Sequence, residues 1–144
     1  MRQLIETLHR EHCSLVLRDT AGHVHRFNKK GVRDLEDLLD HSPSTLHGAV
    51  IADKVIGKAA AGMMAFGGVT QVYADVLSRK AIPMLEAGHI AYDYGTLVDQ
   101  IIIPQGDNRC PLEKIVDPAA TPEETVAMLR AHFKEMSRRA AKNR

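Results

Sequence analysis

Ala49–Phe66 reads AVIADKVIGKAAAGMMAF. An apolar strand, Gly48–Ala52, passes through Asp53-Lys54 into a helix spanning roughly Lys54–Phe66, and Gly67-Gly68 stops it. The helix is thin, because Gly57, Ala59, Ala60, Ala61 and Gly62 carry almost no side chain. Such a run gives up helix propensity at its glycines but lets the helix lie close against a sheet. A strand feeding directly into a helix of this kind is the start of an α/β unit, and the neighbouring segments continue the pattern.

Working back toward the N-terminus, Leu4, Ile5 and Leu8 recur at helical spacing and give a short amphipathic helix ending near Glu11. Cys13–Leu17 and His23–Phe27 flank Asp19-Thr20-Ala21-Gly22, a pattern that predicts a β-hairpin. After Gly31, the residues Val32, Leu35, Leu38 and Leu39 mark a second helix to about Asp40, broken by Ser42-Pro43-Ser44. Downstream, Val69–Leu77 reads as a core strand, and Ser78 is placed to cap a helix that reaches Ala87 and closes at Gly88. His89–Tyr94 and Leu97–Ile103 read as two further strands, and Gln105–Glu113 as turns. Thr121-Pro122-Glu123-Glu124 forms a capping box for a final helix. Its stripe Val126, Leu129, Phe133 and Met136 is expected to dock on the domain or on a second copy.

The chain of 144 residues suits a single domain, 1–144, with one core. A formal net charge of +1 supplies no field that would draw it to nucleic acid or to an acidic membrane. No apolar run is long enough to span a bilayer, and MRQLIETLHREH lacks the apolar centre of a signal peptide, so a cytoplasmic location is expected. Cys13 and Cys110 are too few for a disulfide framework and are expected to be reduced thiols. The eight histidines include the pairs His9/His12 and His23/His25, but no carboxylate or thiol completes either at ligand spacing. No metal and no cofactor is therefore expected. The basic end, Lys134 to Arg144, has no aromatic neighbours for base stacking and reads as a helix terminus.

The opening helix–hairpin–helix followed by alternating strands and helices resembles the cytidine-deaminase-like fold. More closely, IADKVIGKAAA, VLS at Ser78 and CPLE at Cys110 resemble a small uncharacterised family of bacterial and archaeal proteins placed in that superfamily. The resemblance implies a three-layer α/β/α sandwich with a cytidine-deaminase-like mixed sheet. Zinc deaminases open the central helix with a His or Cys ligand, follow it two residues on with a proton-shuttling Glu, and start the next helix with two Cys. Aligned on that pattern, Asp53 stands at the first ligand, Val55 at the Glu, and Ser78-Arg79-Lys80-Ala81 holds no cysteine. The chain is accordingly expected not to be a zinc deaminase.

Strand ends are where open α/β sheets bind ligands, which makes Asp53, Lys58, Ser78, Arg109, Cys110 and Glu113 the candidate lining of a pocket. Plain alternatives exist for four of them. Asp53 and Ser78 suit helix N-caps, Cys110 suits a small buried apolar residue, and Glu113 suits a solvated loop. Cys110 is the one candidate catalytic group: Arg109 beside it would favour a thiolate, with Glu113 as a base. Three functions are open: a small-molecule-binding domain, with a nucleobase- or nucleotide-like ligand implied by the resemblance alone; an enzyme using Cys110 as thiol nucleophile or sulfur carrier; and a structural or regulatory subunit. A homodimer through the final helix is expected in the last case.

Overall fold

The computed structural model describes residues 1–29, 32–102 and 111–142. Five strands form one mixed sheet: β1 (Leu15–Arg18), β2 (Val24–Phe27), β3 (Val50–Ile56), β4 (Gln71–Ser78) and β5 (Ala91–Val98), in the order β2-β1-β3-β4-β5. The hairpin β1-β2 is antiparallel, and β1 runs antiparallel to β3 with Leu15 opposite Asp53. From β3 onward the pairs are parallel, Ile51 opposite Val72 and Tyr73 opposite Asp93. The parallel strands thus run from the centre of the sheet to one edge, and the hairpin continues it to the other.

Seven helices accompany the sheet among the described residues: α1 (Arg2–Arg10), α2 (Arg33–His41), α3 (Pro43–Leu46), α4 (Lys58–Gly67), α5 (Ile82–Ala87), α6 (Pro111–Val116) and α7 (Pro122–Lys142). The first helix buries Leu4 and Leu8 with Cys13, Val16 and Ala52, a small core of its own. His9 ties its end to the sheet, with Nε2 2.7 Å from Asp75 Oδ1. The larger core holds Ile51, Val72, Ala74 and Leu77 from the sheet together with residues of α2, α4, α5 and α7. Alternation along β3 and β4 assigns the two cores to the two faces of the sheet: Ile51 and Val72 belong to the larger, Ala52 and Tyr73 to the smaller.

α4 is the axis of the larger core, with Ala59, Ala60, Ala61, Gly62, Met63 and Met64 all buried. Its thinness serves helix packing as much as sheet packing. A Cβ on Gly62 would lie 2.4 Å from Thr125 Cγ2, so α7 can approach only because that side chain is missing. The final helix therefore spends its stripe on its own domain: Val126 and Leu129 are buried, Phe133 is partly buried against the same core, and only Met136 stays exposed.

Several expected boundaries move. β3 does not stop at Ala52: Val55 and Ile56 continue it, paired with Val76 and Leu77 of β4. The helix begins at Lys58, with Gly57 as its extended N-cap residue. β-branched residues suit a pleated surface, and pairing to a neighbouring strand overrides the polar break suggested by Asp53-Lys54. Similarly, the strands expected at His89–Tyr94 and Leu97–Ile103 are not separate, because β5 runs unbroken through Gly95-Thr96 to Val98 alongside β4; Ile103 lies outside the described residues. Pro111–Glu113, expected to be turn, opens α6, where a Pro in the first turn is well tolerated. Pro83 sits at the start of α5, after a 3₁₀ turn over Arg79–Ala81, so it interrupts nothing. Among the described residues no helix is long and apolar enough to cross a membrane.

Candidate functional site

Because β1 is antiparallel to β3, the start of β1, the end of β2 and the carboxyl end of β3 meet at one end of the sheet. A cavity of about 460 Å³ opens there, walled by the start of α4, by Val32 at the entrance to α2, and by Leu112 and Glu113 of α6. Ser14, Asn28 and Lys29 come from the hairpin, and Asp53 from β3. A second hollow of about 500 Å³ shares Val55 and Ile101 with it and is lined mainly by Val76, Val98, Asp99 and Ile102.

Asp53 is not a helix cap. It lies inside β3, two residues beyond Ile51 and on the same face, so its carboxyl is directed to the helix-covered side of a central strand. Only part of the residue is exposed. Oδ1 accepts the Val55 N–H at 3.3 Å, a long bond, and Oδ2 has no donor among the described residues. Enclosure raises the pKa from the ordinary carboxylate range to about 7, and the nearby acids Asp34 and Asp75 push in the same direction against the backbone amides of Val55 and Lys54. Near neutral pH the carboxyl is therefore close to half protonated, able to accept or to donate a hydrogen bond.

Glu113 faces the same cavity under different conditions. It is 6% exposed, and its two oxygens accept the N–H groups of Lys58 at 2.7 Å and Ala59 at 2.8 Å. These are free amide donors of the first turn of α4, so a carboxylate from α6 caps α4 across 54 and 55 residues of sequence. Gly57 makes room for it: a Cβ there would come within 2.4 Å of Glu113 Oε1. This corrects the expectation that Glu113 solvates a loop, while the pairing with a Cys110 thiol falls on a residue outside the described ones.

Two other candidates leave the site. Lys58 extends away along the helix terminus, with Nζ donating to the Asp117 carbonyl at 2.8 Å, where Lys80 also reaches the Asp117 carboxylate at 3.2 Å. Ser78 is fully buried and caps the 3₁₀ turn, its Oγ accepting the Lys80 N–H at 3.1 Å. Ser78 is thus the cap that its position suggested, and among the described residues it is not part of the cavity wall at Asp53. Arg109 and Cys110 lie outside the described residues. Cys13 is free and buried under α1, with burial raising its pKa, the condition of an inert thiol.

The hairpin contributes a polar wall that was not expected from sequence. Ser14 Oγ donates to the Phe27 carbonyl at 2.9 Å and, at 3.5 Å, to Asp34, whose Oδ2 also accepts the Lys29 N–H at 3.1 Å. Asp34 is 5% exposed, and burial raises its pKa. The Lys29 ammonium is held by Asp37. His12, with φ 54, sits at the rim in a left-handed conformation that few residues without glycine's freedom adopt. Nothing local marks Ser14 or Asn28 as pocket residues, since they reach Asp53 through strand pairing alone.

A zinc centre of the deaminase type does not fit these residues. With the helix starting at Lys58, its opening is Gly57-Lys58-Ala59-Ala60, and the next helical segment opens Arg79-Lys80-Ala81. Neither offers a ligand or a proton shuttle. Among the described residues no three His, Cys, Asp or Glu side chains come together as a metal site.

A family model described as "TM1506: Domain of unknown function (DUF1893)" matches residues 3–133. The chain is also similar to a crystal structure of a DUF1893 family protein, TM1506, from Thermotoga maritima, with a TM-score of 0.80 and 22% sequence identity, covering 92% of this chain and 88% of that one. At that identity the likeness concerns the fold. No curated protein sequence gives a significant match.

Proposed function

This chain belongs to the TM1506 family, a domain of unknown function (DUF1893), and from that premise we propose that it is a small-molecule-binding domain whose ligand occupies the cavity at Asp53. One observation carries this reading: a carboxyl with one oxygen that meets no donor among the described residues, on a central strand, forms part of the wall of a cavity of about 460 Å³. Buried polar groups are nearly always paired, and an unpaired one beside open volume is the usual mark of a missing partner. The surrounding wall is suited to a compact organic molecule. Val32, Ala59, Ala60 and Leu112 supply apolar surface, while Ser14 and Asn28 supply polar groups.

The scaffold supports the finer reading of a cytidine-deaminase-like three-layer sandwich that works without zinc. An antiparallel hairpin precedes three parallel strands, and helices cover both sheet faces. On such a scaffold a nucleobase-like ligand, flat and edged with nitrogen donors, matches the Asp53 acceptor. A nucleotide matches less well, because its phosphate would add negative charge beside Asp53 and Asp34. A homodimer would have to use a surface other than the α7 stripe, which is already covered by α4.

Native mass spectrometry of the protein taken directly from cells tests the reading. A stoichiometric non-covalent adduct is expected, retained by Cys110→Ser and lost from Ala60→Leu, which fills the cavity; far-UV circular dichroism checks that the latter still folds. An empty wild-type protein that also shows no saturable thermal shift with any small molecule would remove the proposal.

A further inference from the structure

We infer that the ligand of this cavity is an organic cation, in which an amine, amidine or guanidine head meets the free oxygen of Asp53 and an apolar body lies along Val32, Ala59, Ala60 and Leu112. The inference rests on the cavity being a ligand site and adds the charge of what enters it.

Among the described residues, the charges of Glu113 and Lys29 on the wall are already answered. The Glu113 oxygens are taken by the amides of α4 and the Lys29 ammonium is bound to Asp37, while Lys54, next to Asp53 along β3, alternates to the opposite face of the sheet, where Ala52 is buried. Lys54 is itself exposed, and His12 sits at the rim. Asp53 is the carboxyl of the wall that has no ion pair among the described residues. The charges that bear on it most strongly, those of Asp34 and Asp75, are both negative. An anionic ligand would meet the Asp53 and Glu113 carboxyl groups of the wall, with Asp34 held behind Ser14. A neutral ligand, a nucleobase included, leaves the carboxyl uncompensated once it is ionised above about pH 7. A cationic donor forms a charge-assisted hydrogen bond, which is shorter and about twice as strong as a neutral one. A bare metal ion is a poor fit, because no three donors converge among the described residues and much of the wall is carbon.

Isothermal titration at pH 8 with three probes of nearly the same shape, benzamidine, benzamide and benzoate, reads the charge preference directly. Benzamidine is expected to bind at least ten times more tightly than benzamide, with benzoate weaker still. Asp53→Asn, which keeps the shape of the side chain, is expected to erase the difference between benzamidine and benzamide, whereas Lys54→Gln leaves it intact. Equal affinity for benzamide or benzoate in the wild type, or a benzamidine preference that survives Asp53→Asn, overturns the cation while the pocket stands. An endogenous adduct that proves neutral or anionic does the same. If no probe binds and the purified protein is empty, both the cation and the binding function fall.

Discussion

Two carboxyl groups line one cavity, and the chain treats them differently. Glu113 is the more buried and has both oxygens occupied by backbone amides, whereas Asp53 is the less buried and has one oxygen free. The contrast shows that what burying a carboxyl costs depends on what surrounds it. A helix N-terminus brings unpaired N–H groups and a favourable dipole, so Glu113 completes a structure that needed an anion. A strand interior offers only the long bond from the Val55 amide and no helix dipole, so Asp53 sits where ionisation is opposed. One acid belongs to the architecture; the other is available to a ligand.

The strongest challenge to that contrast is Glu113→Ala, which strands two first-turn amides of α4. A loss of about 2–4 kcal/mol is expected from two charge-assisted bonds, read by urea unfolding with an unchanged m-value. A loss below about 0.5 kcal/mol, the size of an ordinary surface change, would mean that the cap is incidental.

Gly57→Ala sharpens the same point. Its Cβ would collide with the Glu113 carboxylate, and overpacking of this kind costs about 1–3 kcal/mol. In a Glu113→Ala background most of that cost should vanish, so a double-mutant cycle is expected to give a coupling well outside the additive range. Strict additivity would show that Gly57 is needed for some other reason.

The smallest effect is expected at Asp53, and it differs in sign. The folded protein holds the Asp53 proton up to about pH 7, while the unfolded chain releases it near the ordinary carboxylate value. Between those values the folded state binds more protons, so stability falls as pH rises, and the loss is complete above about pH 7. Asp53→Asn removes this slope. Relative to wild type, the variant should gain on the order of 1 kcal/mol in going from pH 5 to pH 8, seen as a rising difference in Tm. An unchanged difference across that range would place Asp53 among ordinary exposed acids and end the contrast with Glu113.

The sequence carried some of this clearly. The hairpin, the central strand-to-helix unit, the capping role of Ser78 and the docked stripe of α7 all follow from periodicity and end signals acting over a few residues. Asp53-Lys54 was misleading for the same reason. Locally it looks like a helix start, and only pairing with β1 and β4 shows that the strand runs on to Ile56. The site was legible as a neighbourhood, with Asp53 and Glu113 both in the cavity wall, but not as a set of roles. Lys58 turned away to α6, and Ser14 and Asn28 arrived from the hairpin.

By itself, the amino-acid order determined that α4 would be thin, apolar and deeply buried, because side-chain size and hydropathy are properties of the residues themselves. Which carboxyl would be satisfied and which left open was decided only by the tertiary structure. Hydrogen bonds and desolvation depend on the groups that come into contact, and the amides that hold Glu113 lie more than fifty residues away from it along the chain.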